Sequence, residues 1–363
     1  MMINKKRLIK TFLELVRIDS PSGEEGAVAK EVAKRLKDLG GKVEFDQFGN
    51  LITRFAGNGE PFMINVHLDT VEPGRGIKPK VVGNIIKTDG STILGADNKA
   101  GVALVLEALT VAQEKKLNSK ALEVVMTLGE EAGLVGALNL DYSKIAARQG
   151  VTFDGHADVG HVNVSAPGYY RVDVTIIGRS AHAGVEPEKG ISAIEIASKI
   201  ISNLSLGRID EETTANVGLI EGGSARNAVS ERAHFKAEIR SRDSEKLEKH
   251  RQHFQEVFDR FDKQYEQAVL EIDMKREFDP YKFAPDHPVI QMVLEIYKKL
   301  KIKPSLEPTG GGSDVNIFNE HGLEVVCVGT GVYGMHTIRE YLNIEEFVQA
   351  AQFCYALIDS GDK

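Results

Sequence analysis

Short apolar runs that end in acidic or histidine residues recur along the first half of this chain. Three such runs are followed at once by polar side chains: 62–66 by His67 and Asp69, 122–128 by Glu130 and Glu131, and 150–153 by Asp154. Runs of this length are typical of buried β-strands. Because ligands bind outside the carboxyl ends of strands in open α/β sheets, we expect these side chains to crowd one edge of one sheet.

Asp97 occupies a further junction, between Gly95 and an apolar-periodic segment that predicts a helix to about residue 116. An Asp at such a place ordinarily caps the first N–H groups of the helix. Here it accompanies the carboxylates and histidine of the other junctions, and His336 follows near the end of the chain. Together these residues predict a buried metal centre with Asp97 in its middle.

The pattern of the chain changes at Pro167. Between this residue and Asp279, we predict strands near 169–177, 214–221, 231–241 and 268–276 and helices near 188–203 and 243–266. The order β-α-β-β-α-β is that of the ferredoxin-like unit. We therefore divide the chain into a first part of an α/β domain (1–166), an inserted α+β domain (167–278) and a second part of the α/β domain (279–363).

Composition narrows the function classes. The chain has 363 residues, which suits two domains, and its net charge of −8 gives no basic surface for nucleic acid. Its two cysteines cannot form a disulfide framework and fit a reducing compartment. No apolar run reaches the length of a membrane span. We expect a cytoplasmic protein that binds neither nucleic acid nor membrane.

A carboxylate shared by two divalent ions explains the position of Asp97. Each oxygen can hold one ion, at the separation of roughly 3.5–4 Å that is typical of two-metal hydrolases. Imidazole and carboxylate ligands suit zinc and can also hold cobalt or manganese. The expected ligands are His67, Asp97, Glu131, Asp154 and His336. Their three negative charges leave room for a bridging hydroxide, the nucleophile that hydrolysis needs near neutral pH.

Glu130 and Glu131 cannot easily both bind metal, because neighbouring side chains diverge. One can be a ligand while the other takes the proton of the attacking water and passes it to the leaving nitrogen. Asp69 lies two residues after His67 on an extended segment and faces the same way. It can accept the other ring N–H of that histidine, as partners of metal-bound imidazoles usually do.

The chain resembles the co-catalytic zinc exopeptidase family, most closely peptidase T and its relatives; the family also includes the glutamate-releasing carboxypeptidases and the aminoacylases. The resemblance rests on motifs in the family's order along the chain: His67-Leu-Asp69, Gly95-Ala-Asp97-Asn-Lys-Ala-Gly, Gly129-Glu130-Glu131, Phe153-Asp154-Gly155, Gly178-Arg-Ser-Ala-His182-Ala-Gly and Gly334-Met-His336. It implies a three-layer α/β/α catalytic domain interrupted by a ferredoxin-like lid and dimerisation domain. At one position the chain departs from peptidase T, with Gly310 in place of an arginine.

The resemblance also implies roles for single residues. His67, Asp97 and Asp154 would bind one zinc ion, and Asp97, Glu131 and His336 the other. Glu130 would be the general base and Asp69 the orienting acid. In the lid, His182 would reach the active site of a second subunit in a homodimer. Arg226, Asn227 and Arg240 match lid positions that can hold the carboxylate or carbonyl groups of a substrate.

The predicted function is that of a dinuclear, zinc-dependent exopeptidase that hydrolyses short peptides. We expect it to resemble peptidase T and to act as an aminopeptidase on tripeptides or related substrates. A non-peptidase amidohydrolase that deacylates N-acyl amino acids on the same scaffold is the first alternative. A binding protein without metal is the second, and the intact ligand set argues against it.

Several residues also have ordinary interpretations. Taken alone, Glu130 and Glu131 could place charge at a helix N-terminus, which stabilises by about 0.3–1 kcal/mol. Residues 310–313 could form a plain turn or an anion-binding helix start. His156 and His161 flank no motif, so we interpret them as structural or surface residues.

Overall fold

The structure, a computed structural model, describes residues 3–155 and 158–359, so His156 lies outside the described residues. The chain divides into two compact units. The described residues of Met1–Val164, Phe283–Thr309 and Ser313–Lys363 form the first, and those of Ser165–Lys282 and Gly310–Gly312 form the second. The second unit interrupts the first in sequence, which is the arrangement of an inserted domain.

The secondary structure alternates strands and helices over most of the first unit. The helices are α1 (Lys5–Leu15), α2 (Gly26–Asp38), α3 (Ala96–Glu114), α4 (Val135–Leu138), α5 (Ala193–Asn203), α6 (Ser244–Gln264), α7 (Pro288–Leu300), α8 (Asp314–Glu320) and α9 (Ile344–Ile358). The strands are β1 (Lys42–Phe45), β2 (Leu51–Phe55), β3 (Asn58–His67), β4 (Lys80–Val82), β5 (Ile85–Lys87), β6 (Lys120–Thr127), β7 (Gln149–Gly155), β8 (His161–Ala166), β9 (Gly168–Ile177), β10 (Gly207–Arg208), β11 (Thr213–Gly222), β12 (Arg232–Ser241), β13 (Val269–Phe278), β14 (Tyr281–Lys282), β15 (Ser305–Pro308), β16 (Glu324–Gly329), β17 (Val332–Tyr333) and β18 (Tyr341–Asn343).

The main sheet of the first unit has the strand order β1-β2-β6-β3-β7-β16-β8. Its central strands β6, β3, β7 and β16 are parallel to one another. Parallel strands place their carboxyl ends at the same edge of a sheet, and each of these four leads into residues predicted for the metal centre. The expected crowded edge is therefore present.

The side chains on one face of each central strand belong to the large apolar core, and those on the other face lie outside that core. In β16, Val326 and Val328 belong to that core, whereas the alternate residues Val325 and Cys327 do not. Helices α1, α3, α7 and α9 pack together on the core side, and α8 packs against β16 and α4. This gives the predicted three layers. Among the described residues, no helix is long and apolar enough to cross a membrane.

A small sheet of order β17-β18-β5-β4 was not predicted from the sequence. Its strands have two or three residues each, and β5 pairs with β18 from the other end of the chain. Such short strands carry no period that a sequence pattern can reveal. The sheet matters for the site because its strands β17 and β18 flank the loop of His336.

The inserted unit contains an antiparallel sheet of order β10-β11-β12-β9-β13, with α5 and α6 packed against β12 and β9. The predicted ferredoxin-like order is confirmed. Helix α5 begins at Ala193 rather than near residue 188, because Ser192 caps it by accepting the N–H of Glu195 at 3.3 Å. The preceding residues Pro187–Lys189 form a single 3₁₀ turn instead.

Candidate active site

His67 is the last residue of β3, and carboxylates surround its imidazole. Its Nδ1 lies 3.2 Å from Asp69 Oδ1, and its Nε2 lies 3.0 Å from Asp97 Oδ1 and 3.3 Å from Asp154 Oδ1. Burial opposes a charge on this ring, but the three carboxylates outweigh burial and raise the pKa of His67 well above its usual value. Because an ionised carboxylate can only accept, Nδ1–H donates to Asp69 and Nε2 faces the other two. A positive charge is needed where these atoms converge.

Asp97 lies between the two histidines of the site. Its Oδ1 faces His67 Nε2 at 3.0 Å, and its Oδ2 lies 3.3 Å from His336 Nε2. Burial alone would raise the pKa of Asp97, but the two imidazoles hold it well below its usual range. A buried carboxylate with a metal-ligating type of side chain on each oxygen has the arrangement of a bridging ligand.

His336 and Glu131 complete the group. The distance between His336 Nε2 and Glu131 Oε1 is 2.9 Å. Hydrogen bonds to Asp97 and Glu131 raise the pKa of His336 to about 10. One ligand atom from each of His67, Asp97 and Glu131 lies within 4.8 Å of the others. The structure thus brings together all five residues that the sequence predicted as metal ligands.

Asp69 organises the loop after β6 as well as His67. Its Oδ1 and Oδ2 accept the backbone N–H groups of Glu130 and Glu131, each at 3.0 Å, and Ser22 Oγ donates to Oδ2 at 2.6 Å. Burial would raise the pKa of Asp69, but these donors and His67 outweigh it and lower the pKa. Asp69 is therefore ionised and sets the positions of a histidine and two glutamates at once.

Glu130 and Glu131 differ in what their side chains touch. Glu131 contacts His336, whereas Glu130 is buried beside Asp154 and Asp314. Burial raises the pKa of Glu130 well above its usual value, and the charges of Asp154 and Asp314 raise it further. Burial likewise raises the pKa of Asp154 to about 7. So many buried carboxyl groups at one place are stable together only with protons or cations among them, and their donor types fit zinc.

Sequence analysis missed two buried carboxylates that support this site. Glu340 accepts the N–H groups of Leu94, Gly95 and Asp97 at 2.7–2.9 Å. Glu25 accepts the N–H of Gly129, immediately before the glutamate pair, at 3.0 Å. Both act on the backbone of a segment distant in sequence, and no spacing rule reveals such contacts. The available sequence signal was that Glu340 is a charged residue close to the His336 motif.

The predicted lid residues lie in the inserted unit. His182 is exposed, and its loop pairs with the loop of Asn227, whose carbonyl oxygen accepts the N–H of Ala183 at 2.9 Å. Arg226 is exposed next to Asn227. Arg240 forms an ion pair with Glu238 at 3.1 Å, and its guanidinium lies 4.7 Å from the centre of the Tyr169 ring. The structure thus places His182 and Asn227 on adjoining loops, whereas Arg240 contacts Glu238 and Tyr169.

Comparisons with known proteins agree with this geometry. Residues 164–266 match the model of a peptidase dimerisation domain, and residues 50–164 match that of peptidase family M28. An uncharacterised protein, YqjE of Bacillus subtilis (strain 168), is 41% identical over the full length of both chains.

Two solved structures are similar over almost the whole chain. The aminopeptidase PepT from Bacillus cereus ATCC 10987 is 39% identical, with a TM-score of 0.91 over 99% of both chains. The chain belongs to the peptidase T-like M20 family. A tripeptidase from Staphylococcus aureus subsp. aureus Mu50 is 35% identical, with a TM-score of 0.94 over 99% of this chain and 98% of that one.

Membership of this family agrees with the meeting of the His, Asp and Glu side chains at the carboxyl edge of the sheet. The chain is a metal-dependent exopeptidase, and the carboxyl edge of its main sheet holds the candidate metal-binding group of His67, Asp97 and Glu131. The match to the M20 dimerisation domain, over residues 164–266, falls almost entirely within the second unit.

Proposed function

We propose that this enzyme is an aminopeptidase that removes the N-terminal residue of short peptides, with two zinc ions per subunit. The observation that carries the proposal is the placement of Asp97, whose two oxygens face the imidazoles of His67 and His336. His67, Asp97 and Asp154 would hold one ion, and Asp97, Glu131 and His336 the other. Cobalt or manganese could occupy the same ligands. When bound, the ions supply Lewis acidity and lower the pKa of bound water.

The remaining residues of the site have distinct tasks. Glu130 is buried beside the ligands without joining the contact between Glu131 and His336, so it is free to take a proton from water and donate it to the leaving amine. Asp69 keeps the Nε2 of His67 aimed at the metal position by accepting its Nδ1–H. Arg226, Asn227 and Arg240 are the proposed partners of substrate carboxylate or carbonyl groups.

A substrate panel tests the reaction class. Unblocked tripeptides, dipeptides, N-acetylated tripeptides and N-acyl amino acids are incubated with the zinc-loaded enzyme, and the products are identified by mass spectrometry. We expect release of the N-terminal residue from the unblocked tripeptides and little turnover of their acetylated forms. Faster hydrolysis of N-acyl amino acids would show that the enzyme is an amidohydrolase. Release of the C-terminal residue would reverse the proposed polarity.

We also propose a homodimer formed by the inserted unit. Strand β11 lies near one edge of its sheet, and among the described residues its partner β10 pairs with Thr214 and Ala215 at one end. Further along β11, the side chains of Leu219 and Ile220 are 38% and 54% exposed. Unpaired strand edges with apolar side chains favour association with another strand. The match to a peptidase dimerisation domain supports association through this unit. The cytoplasmic location stays a prediction.

His182 is proposed to act in the active site of the partner subunit, where its imidazole donates to the developing oxyanion. It is exposed between small neighbours, so it can project from its loop. A donor at that position typically contributes about 2.7–4 kcal/mol, or roughly 10²–10³ in rate. We expect His182→Ala and Glu130→Gln to be weakly active alone and to recover activity when subunits are exchanged. Random exchange gives about a quarter of wild-type activity, because half of the dimers are mixed and each has one intact site.

The control is a mixture of His182→Ala with the doubly substituted chain His182→Ala/Glu130→Gln, which cannot form an intact site. Subunit exchange is verified by mass spectrometry of differently labelled chains. If exchange occurs and activity does not recover, His182 does not act across the dimer.

A further inference from the structure

The loop that carries His336 also carries Glu340, a buried carboxylate to which the proposed reaction gives no task. Thr337 Oγ1 donates to the carbonyl oxygen of Gly334 at 2.7 Å, and Glu340 N–H donates to that of Thr337 at 3.0 Å. These two hydrogen bonds form a compact turn that connects His336 to Glu340. The side chain of His336 is 55% exposed, whereas Glu340 is 2% exposed.

The carboxylate of Glu340 binds the backbone around Asp97. Its Oε2 accepts the N–H groups of Leu94 at 2.7 Å and Gly95 at 2.8 Å, and its Oε1 accepts the N–H of Asp97 at 2.9 Å. Helix α3 is assigned from Ala96, but Asp97 and Asn98 have non-helical dihedral angles, so this segment is an irregular turn ahead of the regular helix. Glu340 therefore satisfies, from a distant part of the chain, three backbone N–H groups of this irregular segment.

The chemistry of the carboxylate acceptor favours a strong and specific contact. Hydrogen bonds to an ionised acceptor are roughly twice as strong as neutral ones. Glutamine at this position would turn an amide N–H₂ toward backbone N–H groups or lose one oxygen acceptor.

We propose that Glu340 is a positioning residue that fixes the distance between Asp97 and His336, the two ligands that would share one metal ion. The turn ties Glu340 to His336, and the three hydrogen bonds tie it to Asp97. This inference rests on the proposed assignment of both residues as ligands. Glu340 does not touch the metal position, so it acts through the backbone of one ligand and the loop of the other.

The chain offers a matched control in Glu123. This carboxylate is 1% exposed, and its Oε2 accepts the backbone N–H groups of Ala146 and Ala147 at 2.9 Å and 2.8 Å. It lies in β6, four residues before the end of that strand, and its other oxygen is 3.4 Å from Arg54 Nε. Glu123→Gln therefore imposes a similar loss of backbone hydrogen bonds in a place that serves no predicted ligand.

The experiment measures metal affinity, independently of activity, on Glu340→Gln, Glu340→Asp, Glu123→Gln, His336→Ala and the wild type. Metal-free proteins are titrated with Co²⁺, followed by the visible absorption of the bound ion, and with Zn²⁺ against a chromophoric chelator. Thermal unfolding of each metal-free protein records stability separately. Partners that orient metal ligands typically contribute 10–100-fold in metal affinity, so we expect that loss at one of two sites in Glu340→Gln.

We expect Glu123→Gln to lower the unfolding temperature while both metal affinities remain those of the wild type. Glu340→Asp retains the charge on a shorter side chain and is expected to recover part of the affinity, and it serves as the test if the glutamine variant does not fold. Wild-type affinity at both sites in the Glu340 variants, with one site lost in His336→Ala, would overturn the positioning role alone. Unchanged metal binding in His336→Ala would overturn the ligand assignment and the positioning role with it.

Discussion

Replacing Glu130 with glutamine is expected to lower kcat by about 10²–10⁴-fold, the usual contribution of a general acid–base group, while both metal ions stay bound. Glutamine has nearly the same shape but cannot accept a proton from water at neutral pH. Because Glu130 lies outside the contact between Glu131 and His336, its loss leaves the ligand set unchanged. The measurement combines kcat and KM on a tripeptide with elemental analysis of the desalted protein.

Glu131→Gln is the matched control, since it removes one charge from the adjacent residue. It is expected to weaken one metal site, because Glu131 Oε1 lies in the group with His67 and Asp97. Added zinc should then restore part of the activity of this variant and none of the activity of Glu130→Gln. If the Glu130 variant is the one that loses an ion, the two roles are exchanged.

Replacing Asp97 with alanine is expected to abolish hydrolysis and to remove both metal ions rather than one. The reason is that its two oxygens face different histidines, His67 at 3.0 Å and His336 at 3.3 Å. Removal of the carboxylate also leaves the remaining imidazoles and carboxylates without a shared partner at the centre of the site. Elemental analysis after gel filtration gives the metal content, and chelation of the wild-type enzyme should abolish activity in the same way.

Asp46→Ala controls for the loss of a buried aspartate. Asp46 and Asp97 are equally exposed, at 7%, and Asp46 accepts the backbone N–H groups of Gly49 and Asn50 at 2.8 Å and 2.9 Å. We expect this variant to be less stable and still to bind both ions. One retained ion in Asp97→Ala would show that the residue serves a single site, and two retained ions would remove it from the ligand set.

The metal-binding edge could be predicted because it depends on local patterns. An apolar run that ends in a charged residue indicates both a buried strand and the side chain at its carboxyl end, as at His67 and Asp154. The parallel pairing of β3, β6 and β7 then places those ends together. The ferredoxin-like unit was predictable for a similar reason, since buried residues alternate with partly or fully exposed ones along β9 and β12.

Other features could not be predicted because they depend on contacts between distant segments. Glu340 lies 243 residues from Asp97, and nothing near it in sequence indicates that it binds the backbone there. The strands of the small sheet are too short to show a period, and β5 pairs with β18 across most of the chain. A helix start was predicted near residue 188 because the apolar pattern does not show the effect of a capping serine at residue 192.

The position of β16 in the main sheet has a consequence for biosynthesis. Strands β7 and β8 are neighbours in sequence, yet β16 lies between them, parallel to β7 and antiparallel to β8. A ribosome releases β16 after the whole inserted unit, so the nascent chain carries a gap in the middle of its sheet while that unit is being made. The inserted unit can fold before β16 is made. The main sheet of the catalytic unit is complete only when roughly the last forty residues emerge from the ribosome. A chain that ends before Glu324 would lack β16. The edges of β7 and β8 that β16 normally pairs with would then be exposed and prone to aggregation.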